Sequence, residues 1–531
     1  MVSRSEIGCK LRASNHTLAL HYITIACNLP ATSLSFLAFS PNLWFHLQAD
    51  ISKIDLASSV SPFSTPHFLM DVPTKLTPFS QSLLHPALNN ALNRLARDLA
   101  PASPPPPLNL QHPQGPNAFL AELVLAAWGG SPPDIGRLLG VEPPTGSRRG
   151  KPGSGAKQAQ AALQEFNSAY TRLRRWSEWV FASEWSQAQL LQVMEEVEPK
   201  VEEALHWVHA LAVAAIGGYE RLGALLAKKE KDAAKAESLR LGLVAGLETP
   251  DSRFLHGLAL GKPVAELRET FGHMPLAQEG EVARPRVVDA PADQLATPPV
   301  EVWNWDLGRA QKRRVEAEKR AMAQASVLGR SGLRKTLELT QQALVAHARA
   351  REALAFVLAA ARHWALAAAE EGARDGRIHH PDEIFMLEIE EIKQMMTGEW
   401  HSRAHVDALI KERQSAYDAL PARSAAHAHS LGVAGYDTEG ALQPFVAPGE
   451  LTLDAPPGFM ALAENWQPGW WRVVLKAEGL IDLGGHLLTW MASIARSGDL
   501  PALIGGADYA AWPRGERIRL DPARNRAETT D

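Results

Sequence analysis

The chain has 531 residues and a net charge of −5, which allows two to four domains and a sizeable core but supplies no basic field for nucleic acid. Its two cysteines, Cys9 and Cys27, both lie near the start, so the body of the protein has neither a disulfide framework nor a cysteine metal site. Alanine, leucine and charged residues dominate the middle of the chain and favour helix.

Residues 1–70 are rich in Ser, Phe, Thr and His, and are broken by Pro30, Pro41, Pro62 and Pro66. They read as a disordered extension or as a start placed too far upstream of Met70. The other reading, a signal peptide, rests on Arg4, Lys10 and Arg12 followed by Leu18 to Cys27; that run is short and contains His21. No later stretch reads as long and apolar enough to span a bilayer. A cytoplasmic protein without a membrane partner is expected.

From Asp71 the pattern becomes regular. Pro73 and Leu76-Thr77-Pro78-Phe79-Ser80 lead into a helix predicted over Pro86 to Leu99, and the prolines from Pro101 to Pro107 predict an extended connector. A helix over Asn117 to Trp128 follows. Pro132 to Gly155, rich in Gly, Pro and Ser and carrying Arg148-Arg149, predicts a mobile loop by composition; a phosphate-binding loop is the weaker reading, because the spacing of such a loop is absent. Two long helices are predicted over Ala156 to Ser183 and Ser186 to Lys228, the second with Leu205, Val208, Ala212 and Ile216 on one buried stripe. Trp176, Trp179, Trp185 and Trp207 are core residues or the walls of a pocket for a flat apolar ligand.

Beyond these helices come Phe271-Gly272-His273, then Glu279, Glu281, Ala283 and Arg284-Pro285-Arg286. A helix predicted from Gly332 to Asp375 carries Arg351-Glu352, with Leu354, Val357, Leu358, Ala361 and Ala365 on one face, and Gly376 ends it. His379-His380-Pro381-Asp382-Glu383-Ile384-Phe385-Met386-Leu387 then opens into Glu390-Glu391-Ile392. His401 and His405 stand i, i+4 on a predicted helix but lack a zincin's glutamate, and His427 and His429 lack a third ligand, so no metal site is expected.

The last hundred or so residues contain Gly458-Phe459-Met460-Ala461-Leu462-Ala463, Gln467-Pro468-Gly469-Trp470, Ala477-Glu478-Gly479-Leu480-Ile481-Asp482 and a closing strand at Gly515 to Asp521. Between them lie Gly484-Gly485, Thr489-Trp490, Ala495-Arg496 and Leu500-Pro501-Ala502-Leu503-Ile504-Gly505. Together with the elements around His273, Arg351 and Pro381, this order resembles phosphoenolpyruvate synthases and rifampicin phosphotransferases. The resemblance implies an α plus α/β protein: a mainly helical substrate-type domain over 71–425, then a small swivelling β/β/α domain of phosphohistidine type over 430–531.

The family's phosphoryl-carrying histidine falls at Trp490, or at Thr489 if one extra residue is placed later. Neither restores an imidazole. Phosphoryl transfer needs an in-plane nitrogen lone pair near neutral pKa, whereas the indole nitrogen is a donor only. The catalytic position is therefore empty of a nucleophile, with Gly485, Thr489 and Arg496 as its neighbours; His486 is the fallback, against a plain surface-loop histidine. Further departures are Met274 for arginine, Val287 for tryptophan, Phe459 for an acidic residue, Gln467 for aspartate and Pro522 for glycine. Arg351, Glu352 and His273 are the substrate-binding candidates by resemblance; a solvated charge pair and a structural histidine are the alternatives.

An ATP-grasp domain and a glycine-rich phosphate loop are not recognisable, so no cofactor is expected in this chain, and ATP with Mg would act only through an ATP-grasp-containing partner. The expected function is a pseudoenzyme that binds a small apolar or aromatic molecule or regulates a partner, with no nucleic acid involved. The alternatives are a subunit of a split ATP-dependent dikinase acting on a small hydroxyl compound, and a non-catalytic helical scaffold.

Overall fold

A computed structural model describes residues 76–99, 115–144, 154–276, 280–295, 304–400, 402–419, 430–444, 458–463 and 468–530. The expectations placed on residues 1–70, Pro101 to Pro107, Arg148, Arg149, Glu279, His401, His427, His429 and Gln467 lie outside the described residues.

Up to Ala419 the described elements are helical, twelve of them α-helices of eight residues or more. In order they are α1 Pro78–Leu99, α2 Gly115–Trp128, α3 Pro132–Leu139, α4 Ser154–Phe181, α5 Gln187–Ala227, α6 Ala233–Leu243, α7 Pro250–Ala259 and α8 Val264–Phe271. Then come α9 Leu307–Gln324, α10 Val327–Arg374, α11 Ile389–Thr397 and α12 Arg403–Ala419. The long pair α5 and α10 forms the centre, with α4 and α1 packed around it. Leu205, Val208, Ala212 and Ile216 are all buried, as their spacing predicts.

Local chemistry explains the ends. Ser186 caps α5 by accepting from the Gln189 backbone while the Gln189 side chain returns to the Ser186 N–H at 2.9 Å. Gly376, at φ 71°, takes the left-handed turn that stops α10.

Three expectations for the helical part need correction. Helix α1 begins at Pro78 rather than Pro86, because Pro78 suits the first helical turn and the buried Leu83, Leu84, Ala87 and Leu88 hold the helix through Pro86. Part of the loop expected after Pro132 is helix α3. Ser131 caps it, Gly140 at φ 65° ends it, and Ile135, Leu138 and Leu139 are buried, so the prolines and glycine there mark helix ends. Finally, α5 and α10 are long and apolar enough to cross a bilayer by length and composition. Both are largely buried in the body, and a helix packed on nearly all sides is apolar nearly all round.

The C-terminal region is a mixed sheet of β1 Leu431–Ala434, β2 Thr438–Pro444, β3 Phe459–Ala463, β4 Gly479–Asp482, β5 Ala502–Ile504, β6 Arg517–Asp521 and β7 Arg526–Thr529. The order is β1-β5-β4-β3-β2-β6-β7, parallel from β2 through β5 and antiparallel at both margins. Helix α13 Trp471–Lys476 connects β3 to β4, and α14 Trp490–Gly498 connects β4 to β5. Strand β6 does not close the sheet as expected: a turn from Pro522 to Asn525, the latter at φ 54°, folds β7 back onto it.

Strand alternation divides β3 between two cores. Met460 and Leu462 pack with Leu442, Ile481, Leu503, Ile518 and Leu520, whereas Phe459, Ala461 and Ala463 belong to the same core as the central helices. Helix α14 lies between sheet and helical body, touching α7 and α9. The Gly246 N–H donates to the Arg496 carbonyl at 2.9 Å, Leu487 N–H to Leu138 at 3.0 Å, and the Trp305 indole to Ile494 at 2.9 Å. A Cβ on Gly498 would stand 2.0 Å from the Trp305 ring, so only glycine admits that indole.

Candidate functional site

A cavity of about 1040 Å³ opens between α4, α10 and the segment from Glu248 to Asp289. Its polar centre is Glu352 on α10. The Tyr170 hydroxyl on α4 donates to Glu352 Oε2 at 2.6 Å, while Arg253 NH2 and His273 Nε2 both stand 3.8 Å from Oε1. That distance is too long for a hydrogen bond. Oε1 thus faces two polar neighbours at the cavity wall.

One turn along α10, Phe356 stacks on the His273 ring at 3.5 Å between centroids with 12° between planes. Residues three and four apart share a helix face, so Arg349, Glu352 and Phe356 all line the cavity. The Arg349 guanidinium lies 4.5 Å from the centre of the Tyr170 ring, and Arg174 lies 5.7 Å from that of Phe356.

Burial favours a neutral Glu352, but the neighbouring His273 and the Tyr170 hydroxyl outweigh it and hold the carboxyl below its ordinary range. Burial, and then the charge of Glu352, push the Tyr170 phenol up, so it stays a donor. Burial pulls His273 down against the pull of Glu352, leaving a neutral imidazole at pH 7. The site therefore combines a fixed anion, a phenol donor, a flat imidazole-phenyl wall and an arginine-bearing rim.

Of the sequence candidates, Glu352 and His273 meet here and Arg351 does not. Arg351 is buried on another face of α10, with NH1 3.7 Å from Asp251, because successive helical residues point about 100° apart. The bare reading of Arg351 and Glu352 as a solvated pair also fails, since both are buried.

The aromatic walls come from Phe181, Phe271 and Phe356 rather than from the tryptophans. Trp176 is core and donates to Glu196 at 2.6 Å, Trp185 donates to His363 at 3.3 Å, and Trp207 borders a separate cavity of about 260 Å³. Tyr170 and Arg253 carry no signal in the sequence, whereas Arg349 and Phe356 carry one, their spacing from Glu352 on α10.

The glycine-pair loop leaves β4 at Asp482. Gly485 passes so close to it that a Cβ would lie 2.2 Å from Asp482 Oδ2. Thr489 caps α14, its hydroxyl accepting from Ala492 N–H at 3.4 Å, and Trp490 is the first helical residue with 1 % of its surface exposed. His486 is buried rather than on the surface, and its Nδ1 accepts from Leu488 N–H at 3.2 Å. Arg496 is buried too and donates to the Leu487 carbonyl at 2.6 Å.

Met274, Val287, Phe459 and Pro522, the other departures within the described residues, are all buried apolar side chains. Among the described residues no group of three His, Cys, Asp or Glu side chains could hold a metal ion. His405 lies on α12, which starts at Arg403, so no described helix carries both His401 and His405. No protein-family model matches the chain, and no curated protein sequence matches it.

Proposed function

We propose that this chain is a phosphoenolpyruvate synthase-like or rifampicin phosphotransferase-like protein that cannot carry a phosphohistidine, and that it acts by binding a small flat molecule in the Glu352 cavity. The observation that carries the first half is Trp490: the residue at the family's histidine position is a donor-only indole, packed at the start of α14 with 1 % exposure. The strand, glycine pair, helix and strand around it support a phosphohistidine-type ancestry.

On this reading ATP and Mg act only on a partner. Incubating the full chain with radiolabelled ATP and Mg²⁺, and separately with labelled phosphoenolpyruvate, is expected to leave no acid-labile phosphate on it. Label at His486 would overturn the reading.

The phenyl and imidazole faces suit a planar aromatic ligand, and Glu352 suits a hydroxyl on it. Screening hydroxylated planar aromatics by thermal shift is expected to find compounds that raise the melting temperature. Glu352→Gln is expected to weaken such a compound about tenfold, as loss of a hydrogen bond to a charged acceptor does. Unchanged affinity in that variant would remove Glu352 from the site, and a screen without hits would remove the ligand.

A further inference from the structure

Among the described residues six arginines line the Glu352 cavity, and five have their charge or their donors engaged by the protein. Arg174 pairs with Glu178 at 2.7 Å, Arg362 with Asp289 at 3.5 Å, and Arg253 stands 3.8 Å from Glu352 itself. Arg268 is turned to the Ala290 carbonyl, and the buried Arg286 donates to the Glu281 carbonyl at 3.4 Å.

Arg349 differs from these. Its NH1 donates to Asn167 Oδ1 at 3.0 Å and its guanidinium lies against the Tyr170 ring, both neutral partners, and among the described residues no carboxylate pairs with it. A guanidinium has five N–H donors, so most of those on Arg349 are left for a ligand. The side chain is only half-buried and borders both this cavity and a neighbouring one of about 520 Å³, so a ligand can reach it. Glu248 and Glu269, the remaining acids of the wall, are exposed, where water and salt screen them.

Arg349 and Glu352 stand one turn apart on one face of α10, which places their Cβ atoms about 5–6 Å apart. Further along the same face come Phe356, stacked on His273, and then His363, whose ring meets that of Phe181 edge-on at 6.0 Å. At 1.5 Å per residue the helix runs about 16 Å from Glu352 to His363. The wall is thus a polar end holding one cation and one anion, followed by an aromatic strip longer than a single ring.

We propose that the ligand of this cavity is a fused-ring aromatic acid whose end ring carries a hydroxyl and a carboxylate in meta relation. The hydroxyl donates to Glu352, the carboxylate accepts from Arg349, and the rings lie along Phe356 towards His363. Arg253, beside Glu352, offsets the second anion. Meta placement keeps the hydroxyl proton for Glu352, whereas an ortho hydroxyl would turn it to its own carboxylate. This inference rests on the reading of the cavity as a site for a planar hydroxylated aromatic, and adds the ligand's charge and substitution pattern.

The test is calorimetric titration of the full chain, at matched ionic strength, with 4-hydroxy-2-naphthoate, its methyl ester and 2-naphthoate. The hydroxy acid is expected to bind about tenfold tighter than either of the others, the ester lacking the charge and 2-naphthoate the hydroxyl. Arg349→Gln is expected to bring the acid down to the level of the ester while leaving the ester within about twofold, a split that an arginine serving only the fold would not produce. Arg349→Lys, which keeps the charge but not the fork, is expected to retain part of the preference and serves should Arg349→Gln not fold. Equal affinity for acid and ester in the natural chain, or an acid preference undiminished in the Arg349 variants, overturns the proposal and leaves the cavity a site for neutral hydroxylated aromatics. So does binding of neutral compounds from the wider screen when none of these three binds. If nothing binds, the broader reading of the cavity falls and this inference falls with it.

Discussion

Lowering the pH from 7 to 5 is expected to remove about 2 kcal/mol of folding stability through His209 alone. Burial holds this imidazole down at about 4 in the folded chain, against about 6.5 when unfolded. Between those values the unfolded chain binds a proton that the folded chain does not. The contribution is therefore fully present above pH 6.5 and is lost as the pH falls towards 4. His347, held well below its ordinary value by burial, acts in the same direction. Glu220 and Asp499, raised by burial, act in the opposite one, so the measurement is a difference. Urea midpoints at pH 7 and pH 5 should fall less steeply in His209→Leu than in the natural chain. Equal slopes would show that His209 is not held neutral.

Trp490→Ala is expected to cost about 3–5 kcal/mol, the range for truncating a buried large aromatic side chain. The indole sits at the first position of α14, where sheet and helical body meet, so few neighbours can relax into the gap. Chemical denaturation checks the magnitude; a loss under about 1 kcal/mol would mean the region collapses around the deletion. Trp490→His brings back an imidazole without bringing back the room around it. That variant is expected to lose stability and gain no phosphate.

The two long central helices were readable because their apolar spacing, the Ser186 cap and the Gly376 stop all agree. The glycine-pair loop was readable for a similar reason: apolar strand residues flank it on both sides, as β4 and β5 do. Pro132 to Leu139 was misread because Pro and Gly punctuate both helices and loops, and only the burial of Ile135 and Leu138 separates the two. Arg351 and Glu352 could not be told apart as neighbours in sequence. What divides them is the packing on either side of α10, with Asp251 on one face and Tyr170 on the other. Tyr170 and Arg253 reach Glu352 from distant segments, and no local pattern announces such a meeting.

The joints that tie α14 to the helices also set how this protein can move and melt. Hydrogen bonds from Gly246, Trp305 and Ser497, with Gly498 pressed on an indole, bind the sheet region to loops of the helical body. A hinge swing of the sheet region would break them together and expose the buried residues of α14. Such an excursion belongs among rare sub-global openings, slow and detectable by hydrogen exchange, and heat or urea should melt helices and sheet in one cooperative step.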